Sequence, residues 1–304
     1  MRDWQPVLHW ARTQLDAPVE IELIKTRAWA TTWRVQGPQG VSFLKAAGPA
    51  THYEAPLLAS LHRVAPELMA PVLATEPDAG WVLLGDAGRV LDQKQGAPVD
   101  LPVWITMLSR FAELQRRAEP LVADLVAAGV PDERPDRLPD VLRQVLGQSA
   151  EAADLTRAER QDLLGRADRW ADDEAELAQL ALPASVQHGD LHTGNVAIAD
   201  DGSVRFFDFG DASIAHPFTT LLVPLRLARH LGADDRQLDQ LRDGYLEMFT
   251  DRAGLPALRR GLDVALRSAL LPKATAWERA LRSAPDDHPW GTPVLEYLRE
   301  LRCS

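Results

Sequence analysis

Short alternating apolar and polar runs fill the first part of the chain and give way to longer helical periodicities. Val19–Ile24, Thr31–Val35 and Val41–Leu44 read as three strands, the last two joined by the turn Gly37-Pro38-Gln39-Gly40. A helical pattern follows around Tyr53–Leu61. Pro71–Ala74 and Trp81–Leu84 then return to strand about a Pro-Asp-Ala-Gly turn. From Asp86 to Pro102 hydrophobicity drops, as expected of a segment crossing between two lobes. Beyond it Trp104, Met107, Leu108, Phe111 and Leu114 recur at spacings of three and four and mark one buried helix face. Pro131–Pro139, with three prolines among charged residues, reads as a loop. Residues 156–182 read as a charged helix. Ser185–Phe209 breaks that pattern and holds a strand at Val204–Phe207, and helices resume near 235–250, 255–271 and 293–302. The fold class expected is α+β, with a β-rich lobe over residues 1–85 and a mainly helical lobe over 86–304.

Composition narrows the partners. With 46% apolar and 25% charged residues the chain can bury a full core. Lys plus Arg number 33 against 44 Asp plus Glu, a net charge of −11. That balance argues against nucleic acid and against an anionic membrane surface. Cys303 is the only cysteine, so no intrachain disulfide can form, and a reducing, cytoplasmic setting is expected. The expected partner is a small molecule.

The chemistry concentrates in one stretch. Val186-Gln187-His188-Gly189-Asp190-Leu191-His192-Thr193-Gly194-Asn195 is followed, thirteen residues after Asn195, by Asp208-Phe209-Gly210. Phosphoryl transfer needs a carboxylate at the acceptor hydroxyl and oxygen ligands for Mg²⁺ on the phosphates. Asp190 and Asn195 stand five apart, as the Asp and Asn of a kinase catalytic loop do, and Asp208 supplies a second metal ligand.

These motifs resemble those of the aminoglycoside phosphotransferase and choline kinase-like family of small-molecule kinases, which share the protein-kinase fold. The carriers are His188-Gly189-Asp190-Leu191-His192 with Asn195, and Asp208-Phe209-Gly210-Asp211. The resemblance implies ATP and Mg²⁺ as cofactors, Asp190 as catalytic base, and Asn195 with Asp208 as magnesium ligands. It also implies a phosphate-gripping lysine on the third strand, where Phe43-Leu44-Lys45 fits, and a carboxylate partner for it. Glu54 is the candidate for that partner, with Glu67 in reserve. Gly189 replaces the arginine of the protein-kinase His-Arg-Asp motif and no Ala-Pro-Glu follows, so the acceptor expected is a small hydroxyl compound.

One part departs from the pattern. The turn Thr26–Thr32 has no glycine, so threonine hydroxyls or Arg27 must replace close backbone contacts to phosphate. Adenine is expected near Leu83-Leu84-Gly85-Asp86, and Trp277, Trp290 and Glu278 are acceptor-pocket candidates. His192 is open between orienting the catalytic loop through hydrogen bonds and being a satisfied buried histidine, with the structural role favoured, and His216-Pro217-Phe218 is expected to pack beneath the metal loop. Asp211 is open between a structural role and a substrate amine. Two other readings fit part of the chain. His188, Asp190 and His192 alternate and could hold zinc or manganese in a metallohydrolase. The glycine-free turn also fits a nucleotide-binding protein without turnover.

Overall fold

The computed structural model describes residues 3–15, 18–91, 98–285 and 287–303. Helix α1 (Gln5–Thr13) leads into β1 (Glu20–Thr26), β2 (Ala30–Gly37), β3 (Gly40–Ala47), α2 (Glu54–Val64), β4 (Val72–Glu76) and β5 (Trp81–Gly85). The five strands form one antiparallel sheet in the order β1-β2-β3-β5-β4. The anticipated strands are all present.

Side chains of a strand alternate between its two faces. Trp33 and Val35 of β2, Leu44 and Ala46 of β3 and Leu83 of β5 point to one face, where they bury against Val7 and Ala11 of α1. Phe43 and Lys45 therefore point to the opposite face, into a cleft. Helix α1 is an addition to the expected elements. It buries only Val7 and Ala11 fully, too thin an apolar stripe to stand out in sequence.

The rest comprises β6 (Arg89–Val90), α3 (Leu101–Ala118), α4 (Val122–Ala127), α5 (Leu138–Gln148), α6 (Arg157–Ala178), β7 (Ser185–Gln187), β8 (Val196–Ile198), β9 (Val204–Phe206), β10 (Ser213–Ala215), α7 (Leu222–His230), α8 (Asp235–Leu246), α9 (Leu255–Ser268), α10 (Leu270–Leu281) and α11 (Pro293–Cys303). The α3 face read from the sequence is buried throughout. It packs in a single core with Leu57, Leu58 and Leu61 of α2 and with Phe206 and Phe209. A second core joins α5, α6, α10 and α11.

Three expectations need correction. Pro131–Pro139 is a loop only in its first half: a 3-10 turn spans Pro135–Arg137 and α5 starts at Leu138. Proline suits the first turn of a helix, where its missing N–H costs nothing, so these prolines open helices. The helix expected over 255–271 divides at Ala269 into α9 and α10. The crossing segment from Asp86 contains β6, which pairs with β8, while its residues 92–97 lie outside the described residues. Among the described residues no helix is long and apolar enough to cross a membrane.

Candidate active site

Lys45 faces the cleft from the middle of the sheet. Its Nζ donates to Glu54 Oε1 at 2.7 Å and to Asp208 Oδ1 at 2.6 Å. Glu54 opens α2 and is only 1% exposed, whereas Asp208 is 40% exposed toward the cleft. Burial opposes the lysine charge, but Asp208 and Glu54 outweigh it and hold the ammonium above its ordinary range. In return Lys45 holds the Asp208 carboxyl below the usual carboxylate range. Asp208 has φ 64°, a left-handed conformation that non-glycine residues seldom adopt outside functional sites. Glu67, the reserve partner, pairs instead with Arg117.

The loop between β7 and β8 carries Asp190. His188, fully buried, lies with Nε2 3.1 Å from the Phe207 carbonyl, stacks on Phe209 and accepts from the Asp190 N–H through Nδ1. Asn195 Nδ2 donates to the Asp190 carbonyl at 2.9 Å. The β8–β9 hairpin pairs Val196 with Phe206, and the Phe207 N–H donates to the Asn195 carbonyl. That register sets Asp208 beside the Asn195 end of the loop. His192 Nδ1 accepts from the Gly194 N–H, which leaves Nε2 to donate toward Asp190 Oδ2 at 3.4 Å. His192 thus holds the loop and its carboxylate.

Gly189 has φ 78°, and a Cβ there would sit 2.2 Å from the Asp211 carbonyl oxygen. Only glycine permits this approach. It brings Asp211 and Asp190 to one cation, Lys273 of α10. Lys273 Nζ donates to Gly189 O at 2.9 Å, Asp211 Oδ2 at 2.8 Å and Asp190 Oδ1 at 3.4 Å. Burial raises the Asp190 carboxyl, but the His192 hydrogen bond and the Lys273 charge outweigh it and leave the group well below the carboxylate range. Asp211 is therefore an internal ion-pair partner in this structure.

The cleft beneath the sheet has a volume of about 240 Å³ and is lined by Phe43, Lys45, Leu84, Gly85 and Asp208. The segment singled out for adenine lies along it. The glycine-free turn is a tight hairpin closed by the Arg27 N–H on the Ala30 carbonyl. Lys25 and Arg27 both line the cleft from this hairpin. Trp29 at its tip packs against Trp290 and Trp277, with ring centroids 5.1 and 6.3 Å apart. Glu278 pairs with Arg282 instead. His216 caps the short helix after β10 and packs on Phe218.

The metal site proposed over His188, Asp190 and His192 does not assemble. Both His188 nitrogens and His192 Nδ1 are engaged by backbone groups, and among the described residues no group of three or more His, Cys, Asp or Glu side chains is placed to hold a metal ion. The residues sequence reasoning missed are Lys273, Lys25 and Tyr53. Tyr53 donates its hydroxyl to the Gly210 carbonyl at 2.5 Å, tying α2 to the Asp208 loop. A lysine inside the apolar run Leu270-Leu271-Pro272-Lys273-Ala274 was the available signal for Lys273.

A family model described as the phosphotransferase enzyme family matches residues 32–260. Curated proteins yield no match. Among solved structures, an ethanolamine kinase of Plasmodium vivax superposes with a TM-score of 0.64 at 12% identity, over 96% of this chain and 84% of that one. Choline kinase LicA from Streptococcus pneumoniae gives 0.62 at 10% identity, over 98% of each chain. The GDP complex of wild-type aminoglycoside 2'-phosphotransferase-IIIa gives 0.60 at 16% identity, over 98% and 99%. These likenesses show a shared protein-kinase-like α+β fold. With its motifs in register and its family model spanning most of its length, the chain belongs to the phosphotransferase enzyme family.

Proposed function

We propose that this protein is a small-molecule kinase that transfers the γ-phosphate of ATP, with Mg²⁺, to a hydroxyl of a small acceptor. The observation that carries the reading is Lys45, anchored by buried Glu54 and reaching Asp208, with the Asp190 loop joined to the same point through the β8–β9 hairpin. In this reading Lys45 grips the phosphates and Glu54 fixes Lys45. Asn195 and Asp208 hold the metal. The donor set fits Mg²⁺, which prefers hard oxygens: Asp208 offers a cleft-facing carboxylate, and the Asn195 amide spends its NH₂ on Asp190, leaving its oxygen to offer. When bound, the ion would neutralise charge on the phosphates.

Asp190 is the base that takes the acceptor proton, its carboxylate kept ionised by His192 and Lys273. Lys25 and Arg27 supply the phosphate-facing charge that glycine N–H groups give elsewhere. The division at residues 85 and 86 into a nucleotide-binding and an acceptor-binding lobe belongs to the same proposal. Structural neighbours solved with GDP or AMP support a nucleotide in the cleft. The test is an ATP-consumption screen over hydroxyl metabolites and aminoglycosides with Mg²⁺, alongside thermal unfolding. Mg-ATP at about 100 times its dissociation constant should stabilise the fold by about 2.7 kcal/mol. An unmoved melting temperature with no ATP consumed would overturn the reading.

A further inference from the structure

The cations proposed to face the phosphates stand on the least supported strand of the sheet. β1 is an edge strand that pairs only with β2, and all but one of its residues are exposed. Its register with β2 slips between Leu23 and Lys25. Among the described residues neither Lys25 nor Arg27 forms an ion pair, and both line the cleft. The hairpin is held at its tip instead. The Trp29 carbonyl accepts the Gly48 N–H at 2.6 Å and the Thr51 hydroxyl at 3.3 Å. The half-buried Trp29 ring packs on Trp290 and Trp277, at 57° and 85° to their planes, in the tilted and edge-on arrangements that aromatic pairs prefer. Helix α10, which carries Trp277, also packs against the 3-10 turn Pro49–Thr51. One helix thus supports both the Trp29 ring and the turn that holds its carbonyl.

We infer that Trp29 is a positioning residue for the nucleotide: clasped on Trp277 and Trp290, it fixes the hairpin so that Lys25 and Arg27 meet the phosphates from a preset position. The inference rests on the kinase reading, because it concerns the phosphate end of the proposed nucleotide. A glycine-rich turn brings backbone N–H groups onto phosphate. This hairpin offers side-chain cations in their place, and long side chains lose much rotamer freedom when a ligand holds them. Fixing the backbone beneath them before binding keeps the rest of that ordering cost down. The Trp277 ring also lies 5.9 Å from Lys273 Nζ, within cation–π reach, and Lys273 holds Asp190. The brace therefore runs from the phosphate hairpin to the cation beside the proposed base. Trp29 itself lines the cleft, so direct stacking on adenine is the rival role. That contact would serve adenosine as well as ATP, whereas a brace for Lys25 and Arg27 serves the phosphates alone.

The experiment measures Mg-ATP and adenosine binding by calorimetry in wild type, Trp29→Ala, Trp29→Phe, Trp290→Ala and the double alanine variant. Trp29→Ala removes both aromatic contacts and should weaken Mg-ATP by about tenfold. Adenosine, which carries no phosphate, should bind as it does to wild type. Trp29→Phe keeps a ring on the clasp and should restore most of the Mg-ATP affinity. Trp290→Ala breaks the clasp from its far side and should show the same selective loss. The double variant should lose no more than Trp29→Ala alone, since both changes remove one interaction. Equal losses of adenosine and Mg-ATP in Trp29→Ala would overturn the inference in favour of stacking or a disturbed fold. Unchanged Mg-ATP affinity, or single losses that multiply in the double variant, would overturn it too. Should adenosine bind too weakly to measure, the double variant with Mg-ATP decides. Wild type that binds Mg-ATP no more tightly than adenosine and hydrolyses none brings down the kinase reading, and the inference with it.

Discussion

Two lysines, each between two carboxylates, flank the loop that carries Asp208 and Asp211. Lys45 joins Glu54 to Asp208, and Lys273 joins Asp190 to Asp211. Asp208 and Asp211 are the two ends of one Asp-Phe-Gly-Asp turn, so the clusters share a backbone support. Their surroundings differ. Lys45 pairs with Glu54, wholly removed from water, whereas the Lys273 carboxylates keep 40% and 27% exposure. The first cluster is bound into the frame of the sheet and α2. The second lies open to whatever molecule approaches Asp190. A buried ion pair is costly to break because the surviving charge stays unpaired, while an exposed partner recovers water. The same arrangement of groups therefore forms a buried anchor in one place and holds two partly exposed carboxylates in the other.

The largest effect that separates the clusters should come from Asp190→Asn. It preserves shape but cannot take a proton, so turnover should fall about 10²- to 10⁴-fold with ATP affinity nearly unchanged. Single-turnover assays and Mg-ATP titration check both halves, and near-normal turnover would remove Asp190 from the role of base. Next, Lys45→Met should cost about 3–5 kcal/mol of stability, because it strands Glu54. Lys273→Met should cost clearly less in the same urea titration, and equal losses would erase the contrast drawn above.

Acid should reach the carboxylates of Asp190 and Asp208 late. Asp190 and Asp208 have depressed carboxyls, so their contribution is complete above the unfolded value near about 3.9 and is lost only below it. Burial depresses His188 and takes His216 to about 3. Below about 6.5 the unfolded chain gains protons that the native histidines refuse, so stability is full above that pH and declines as pH falls toward 3. Melting temperature should therefore fall between pH 6.5 and 4, and His216→Asn should flatten the slope. The smallest effect is Tyr53→Phe, which removes the bond to the Gly210 carbonyl at a cost of about 1 kcal/mol, measurable by denaturant titration.

The cluster around Lys45 was legible in the sequence and the one around Lys273 was not. Lys45 ends an apolar strand run, Glu54 lies nine positions on, and the Asp190–Asn195 and Asp208 motifs have fixed spacings. Lys273 meets Asp211 and Asp190 from 62 and 83 residues away, and only tertiary packing creates that contact. The strands of the sheet were readable because alternation is a local signal. Helix α7 escaped notice, since Leu222–His230 follows the turn of His216-Pro217 without a separate start signal. At Pro131–Pro139 proline carries two meanings, and the packing of α5 on the second core selects helix over loop.

The tryptophan contact at the hairpin tip links folding order to the cleft. Trp29 and Trp277 are separated by about 250 residues, so their meeting closes a loop nearly as long as the chain, and closure entropy grows with loop length. Such distant contacts gain nothing until both partners are already placed. The hairpin carrying Lys25 and Arg27 can pair its strands early, from neighbours alone. Its tip is braced only after α10 and the residues around Trp290 have docked. A nascent chain therefore holds a complete sheet well before it holds a complete cleft.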